Sequence, residues 1–578
     1  MKASFIKNKK VRYGSLSLAL TAFIIAVVVI FNVIFSSLAR KNLWYIDMTA
    51  DDRYTLSDAG ISYLTSALEK ANKDRTEKGQ PEAKVKILFC DDPDKFEDGE
   101  FQKMVYNTAL QLQKQFKDTI EVDWVNIVRN PSAVHNYGNP KTTSVIVISG
   151  SEYRTLSLRN FFVFNSEDDT TPWAQKMERT FAVAIAGVTQ AESPICAMTN
   201  NHGEQVTDTE FLTLLSDAGY KMTTIDLTKD DIPADCRLMI TFNPKSDFLT
   251  DKDGVSGISE TTRLDKFLDE ANSYMIFTNA DTPELPNLEE YLAEWGIKYQ
   301  RVSDESGLSG ENAKFNYMIK DSTQAIQDPY TFIGSYETRG YGASVTKNMR
   351  SGGVPKKVIF KNATAITNSE YFKPTIYHDE DAEASDISED YLYYSYYMNG
   401  VSRSMYSIFT TSDGGEAMAN GKLVAKSDNS LSASSAEAGS TGTGASGTGE
   451  SGSGENIGVA KERLMLMTIS REARTIQDDN YHSQSNDSYV LACTSTDFAT
   501  EKFLQSAVYG NSDLLLSTLR TIGREVVPVG LTLVPFAESS ISSITTKQAT
   551  QYTVVLTIVP AVIMFGLGLY VIVRRKYS

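Results

Sequence analysis

The chain has 578 residues, with 73 Asp and Glu against 56 Lys and Arg and a formal net charge of -17. It is long enough for several domains, and its acidity argues against nucleic acid as a partner, because phosphate binding needs clustered Lys and Arg. Four cysteines make no disulfide framework. Cys90, Cys196 and Cys493 fall in the apolar runs VKILFC, PICAM and YVLAC and read as buried thiols, and no Cys/His cluster has the spacing of a zinc site.

In chain order, residues 1–13 form a basic tail with Lys2, Lys7, Lys9, Lys10 and Arg12. Residues 13–39 carry no charge, and since a spanning helix needs about 20 apolar residues, a transmembrane helix is expected over 14–38. The run exceeds the ~7–15 residues of a signal-peptide core, which favours an uncleaved anchor over a cleaved leader. Residues 548–573 are again uncharged and stop at Arg574, Arg575 and Lys576. A second transmembrane helix is expected over 550–573, followed by a tail, 574–578. The flanking basic residues put both termini in the cytoplasm and the large domain on the outer face of the plasma membrane.

Between the two runs, Ser57 opens a helix with Ile61, Leu64 and Leu68 at helical spacing. Strands are expected at 84–90, 119–128 and 144–149 and helices at 100–116 and 173–190, making a first α/β domain over 42–192. A second α/β unit, 193–300, alternates strand 195–199, helix 207–218, strands 221–227 and 238–242, helix 260–271, strand 274–278 and helix 288–294. Thr207 and Glu210 have capping-box spacing, and Gly219 sits where a C-terminal cap belongs. Strands alternating with helices imply parallel sheets covered by helices. Residues 301–426 form a mixed region with no legible architecture. Residues 427–457, rich in Ser and Gly and without an aromatic, cannot offset ordering entropy and read as a flexible insertion. The α/β body resumes over 458–547.

The strongest chemical constellation is Asn200-Asn201-His202-Gly203-Glu204, between a strand and a helix. Ligands of open α/β sheets bind beyond the carboxyl ends of strands, and His202 and Glu204 are residue types suited to a base and its orienter. A hydrolase also needs a nucleophile or an activated water; no GxSxG motif accompanies them, and Cys196 lies inside the strand. Asn200, His202 and Glu204 are therefore read as ligand or interface contacts, not as a catalytic centre. The acids after His378 lack the spacing of a calcium loop and read as a solvated face. No GxxxxGK[ST] loop occurs, and no GxGxxG follows a strand, so no ATP hydrolysis, no cofactor and no metal are expected of this chain.

An apolar run followed by IDMTADDRYTLSDAGISYL, the strand VKILFC, a second unit opening with TNNHGE, then STDF and GNSDLLLSTLR, and last an apolar run ending in RRK resembles the GldG-like auxiliary component of ABC-type transport systems, a family of the gliding-motility type. The similarity holds at Asp47, Thr49, Tyr54, Thr55, Leu56 and Ser57, at His202, Gly203 and Glu204, and at Asp497, Asn511 and Asp513. It spans nearly the whole chain in order; the Ser/Gly insertion and residues 300–420 depart from it. The resemblance implies a non-catalytic, membrane-anchored exoplasmic subunit beside a separate ABC ATPase and a polytopic permease. Its outer domains would be like degenerate glutamine-amidotransferase or sugar-binding modules, with Asn511 and Asp513 added to the ligand or interface contacts. The rival reading is a membrane-anchored envelope carbohydrate-binding protein or hydrolase. The expected fold class is α/β, with N- and C-terminal transmembrane helices flanking an exoplasmic body of tandem parallel-sheet domains.

Overall fold

The computed structural model describes residues 21, 23–32, 34–35, 55–137, 140–164, 169–190, 193–204, 209–251, 259–302, 316–350, 354–377, 391–398, 401–429, 460–473, 475–477, 483–485, 487–506, 508–523, 527–531 and 533–536. By its contacts the chain divides into Met1–Val534 and Pro535–Ser578, and of the second unit only Pro535 and Phe536 are described. The elements and sites named from here on all belong to the first unit.

The expected flanking transmembrane helices are corrected by the structure. Among the described residues no helix is long and apolar enough to cross a membrane. Of the first expected span, 14–38, positions 14–20, 22, 33 and 36–38 lie outside the described residues, and so does all of 550–573.

The body begins with α1 (Asp58–Glu77), whose N-cap Ser57 accepts a hydrogen bond from the Gly60 amide at 3.0 Å. It satisfies one of the donors that every helix start leaves open. A small sheet follows, built from β1 (Val85–Phe89), β2 (Ile120–Trp124), β3 (Val145–Ser149) and β4 (Glu152–Leu156) in the order β2-β1-β3-β4. The helix α2 (Glu100–Gln115) makes the β1–β2 crossover, so that pair is parallel. From β2 to β3 the described chain carries only a short 3-10 stretch, and β3 lies antiparallel to β1. β3 turns tightly through Gly150, at φ +62°, into β4. The helix α3 (Met177–Thr189) then packs its apolar side, including Phe181, Ile185 and Val188, into the interior.

The large sheet has twelve strands among the described residues. Its first half is built from β5 (Ile195–Thr199), α4 (Thr209–Asp217), β6 (Lys221–Ile225), β7 (Cys236–Phe242), α5 (Glu260–Asp269), β8 (Ser273–Phe277) and α6 (Pro286–Ala293). A short strand β9 (Ile297–Tyr299) pairs with β10 (Ile366–Asn368) at one side. The remainder comes from β11 (Lys373–Tyr377), β12 (Tyr391–Met398), β13 (Val401–Thr410), β14 (Met465–Glu472) and β15 (Ser488–Cys493), and α7 (Asn511–Ile522) follows. The main path runs β11-β12-β13-β14-β15-β8-β7-β5-β6. Strands β6, β5, β7, β8 and β15 are mutually parallel, whereas β15-β14-β13-β12-β11 alternate in direction. The expectation of purely parallel sheets is thus corrected: both of these sheets are mixed, and so is a further four-stranded sheet of Met318–Asp321, Gly415–Ala419, Lys422–Ser427 and Ala460–Glu462. A parallel neighbour needs a long crossover, usually a helix, and the chain supplies crossover helices only as far as β8.

Side chains along the parallel strands alternate between two cores, as the period of two demands. Cys196, Met198, Leu238, Ile240, Met275 and Phe277 face one side, where Phe211, Leu214 and Leu215 of α4 and Leu514 and Leu515 of α7 cover them. Ala197, Met239, Tyr274 and Ile276 face the other, beneath Leu264, Phe267 and Leu268 of α5 and Leu288 and Leu292 of α6. Both faces are dry. Polar side chains are therefore pushed to the strand ends, and the strand order reverses between β5 and β7, the kind of switch point that opens a crevice at the carboxyl edge of a doubly wound sheet.

Candidate functional site

The chain leaves β5 at that switch point. Asn200 donates its amide to Ile225 O at 2.9 Å and exposes its side chain. Asn201 (φ 87°) and Gly203 (φ +75°) both take the left-handed region, which few residues other than Gly and Asn enter cheaply. These two bends fold the imidazole of His202 back under the sheet edge, where it is only 3% exposed.

There both ring nitrogens are taken. Nδ1 lies 3.1 Å from Glu204 Oε1 and Nε2 lies 3.1 Å from Glu260 Oε2. The ring stacks on Phe248, 4.2 Å between centroids, and the His202 carbonyl accepts the amides of Lys245 and Ser246. Glu204 is held in turn by Thr199 Oγ1 at 2.8 Å and by the His202 amide at 2.7 Å. Glu260, fully buried at the start of α5, also accepts the Leu249 amide at 2.9 Å, while its Oε1 has no hydrogen-bond partner among the described residues. Burial pushes the imidazole toward neutrality, but hydrogen bonds and charge from Glu204 and Glu260 outweigh it and raise its pKa to about 9. Burial likewise pushes Glu204 up, and the donors from His202, the backbone and Thr199 hold it below its ordinary value. The group is an imidazolium clamped between two carboxylates. With both nitrogens donating it has no lone pair to accept a proton, so as built it ties the β5 exit to the α5 start.

Asn511 and Asp513 are brought to a different cluster. Asn511, fully buried, accepts the Ile359 amide at 3.0 Å and donates to Ile359 O and Phe498 O at 3.0 and 3.2 Å. Asp513 pairs with Lys356 Nζ at 2.8 Å. A polar seam along the carboxyl ends of the strands connects the two clusters. Lys245 Nζ and Thr282 Oγ1 both donate to Asn243 Oδ1, Asn279 takes its amide to Thr282 Oγ1 and its side-chain amide to Thr496 Oγ1, and Asp497 binds Lys361 and Asn362. Glu260, Lys245, Asn243, Asn279 and Lys361 were not legible as site residues. Glu260 in particular reads in sequence as an ordinary acid in a first helical turn, which favours negative charge, and nothing local announces a histidine 58 residues away.

Cys90, Cys196, Cys236 and Cys493 are all buried and free, and burial raises each thiol, to about 11 for Cys90 and Cys236 and about 12 for Cys493. Among the described residues no group of His, Cys, Asp and Glu could hold a metal ion; His378 and the acids after it lie outside them.

No family model matches the chain, and no curated protein matches it. Among solved structures it is similar to one described as the mmIFT52 N-terminal domain, at 10% identity and a TM-score of 0.31, over 57% of this chain and 97% of that one. A likeness at that level carries no argument about fold or function.

Proposed function

We infer that this chain is a non-catalytic auxiliary subunit of an ABC-type transport system, working beside a separate ATPase and a separate polytopic permease at the plasma membrane. The observation that carries the reading is the state of His202. A general base must be within reach of the proton it takes, and His202 is 3% exposed with one ring nitrogen on Glu204 and the other on Glu260, whose hydrogen bonds and charge also raise its pKa. The residues that would make the turn a hydrolase instead lock a loop at the sheet's switch point. Four buried thiols with raised pKa values leave no cysteine poised for attack. The sequence has no phosphate loop, so energy from nucleotide enters through a partner on this reading. The order of motifs shared with the GldG-like family supplies the identity of those partners.

The purified chain is to be assayed against saccharide, peptide and nucleotide substrates, beside His202→Gln. The reading expects no turnover by the wild type. Hydrolysis that His202→Gln abolishes would refute it and promote the envelope-hydrolase reading.

A further inference from the structure

A small cavity lies away from the His202 turn, between the small sheet and the switch-point helix. It measures about 110 Å³ and is lined by Arg154 of β4, Lys176 and Arg179 at the start of α3, and Thr213 and Asp217 of α4. Three cations meet one carboxylate there, in a chain whose overall charge is -17. Arg179, 6% exposed, gives Asp217 one terminal nitrogen at 2.6 Å, and its buried Nε has no hydrogen-bond partner among the described residues. Arg179 is thus tied to Asp217, which among the described residues leaves Arg154 and Lys176 as the cations free of a carboxylate at this cavity.

Arg154 enters from the opposite wall. A methyl group at position 187 would lie 2.7 Å from its guanidinium carbon, so Gly187 of α3 is what admits the side chain. Among the described residues neither Arg154 nor Lys176 has a carboxylate partner. Lys176 also lines a much larger adjoining groove of about 860 Å³, together with Trp173, Phe164 and Arg159.

We propose that the Arg154–Lys176–Arg179 cavity binds a phosphate-class oxyanion. The volume is a few times the roughly 30 Å³ share of one water, which suits a compact tetrahedral anion. The donors are of the kind that bind such anions most strongly, guanidinium forks supported by an ammonium. Asp217 remains engaged with Arg179, so two cations are left over to meet a double negative charge. Because Lys176 stands at the mouth of the larger groove, a phosphomonoester can seat its phosphate here and lay its organic part against Trp173.

The test is calorimetric titration of the full chain with inorganic phosphate and, separately, with glycerol phosphate, at matched ionic strength with chloride as the control. Arg154→Gln and Lys176→Gln are the variants, since Arg179 also holds Asp217 and its loss confounds folding with binding; melting in chloride checks that both variants fold. Each should weaken phosphate binding about tenfold, as expected for a lost charge-assisted hydrogen bond. Gly187→Ala, which displaces Arg154 without removing a charge, should weaken it as well. Tighter binding of the ester than of free phosphate identifies the anionic end of a larger ligand, and equal binding identifies the free ion; both support the site. Absence of binding by either anion in the wild type, or binding undiminished when both cations are replaced, overturns it.

Discussion

His202 carries two carboxylates on one ring, and this fixes how the protein responds to pH. Its pKa rises from 6.5 to about 9 on folding, so the folded state holds a proton that the unfolded chain releases earlier. The stabilisation is fully present below pH 6.5 and is lost as the pH climbs through about 9, amounting to about 3 kcal/mol at most. Glu204 works in the opposite window: its lowered pKa gives stability that disappears as the solution turns acid. The melting temperature should therefore fall between pH 7 and 9.5, and His202→Gln should flatten that slope. A wild-type melting curve independent of pH across this range, or titration near 6.5 of the ring-proton resonance that is missing from the His202→Gln spectrum, would contradict the clamp.

At the scale of elements, the clearest single support is the side chain of Asn511, which fastens α7 to the Ile359–Lys361 strand and to the turn at Phe498. Asn511→Ala strands three buried backbone groups and should destabilise the fold by about 3 kcal/mol, seen as a lower midpoint in urea; an unchanged midpoint would mean the contacts are replaceable. The parallel half of the large sheet was legible because helices follow β5, β7 and β8 and only β6 runs into the next strand without one. Of the helix expected at 207–218, Thr209–Asp217 appears as α4 with Gly219 at φ +94° beyond its end, while Thr207 and its capping box lie outside the described residues; ICAMT is β5 itself. The antiparallel half was not. β12 reads YLYYSYYM, with aromatics on both faces and no period of two, and it pairs with β13 and β11 without a helix to announce the direction. The β12–β13 pair does leave a local record, because Met398 pairs with Val401 and the two residues between them in the sequence are Asn399-Gly400, the dipeptide that marks a two-residue hairpin; the pairing of β13 with β14, across the Ser/Gly insertion, is long range and leaves none. The turn at 200–204 was legible as a site, whereas its closure was not, because Glu260 and Phe248 reach it only through the folded sheet.

At the scale of the whole molecule, the Ser/Gly insertion joins Lys422–Ser427 to Ala460–Glu462, which lie side by side and parallel. Residues 430–459 are outside the described part, but the ends alone set a condition: a parallel neighbour is reached only by a connection of about a dozen residues or more. Cutting the insertion to about that length should move the melting temperature little, since loop closure changes by about 0.6 kcal/mol per doubling. Collapse of the fold on such trimming would mean that the segment is packed, against the composition argument.

If this chain acts by association, as proposed, purification from the native membrane in mild detergent, with proteins identified and quantified by mass spectrometry, should recover an ABC ATPase and a polytopic permease in fixed proportion to it, with nucleotide turnover that stays with the complex and leaves the isolated chain inactive. A chain that purifies without either partner, or that keeps ATP turnover by itself, would contradict it.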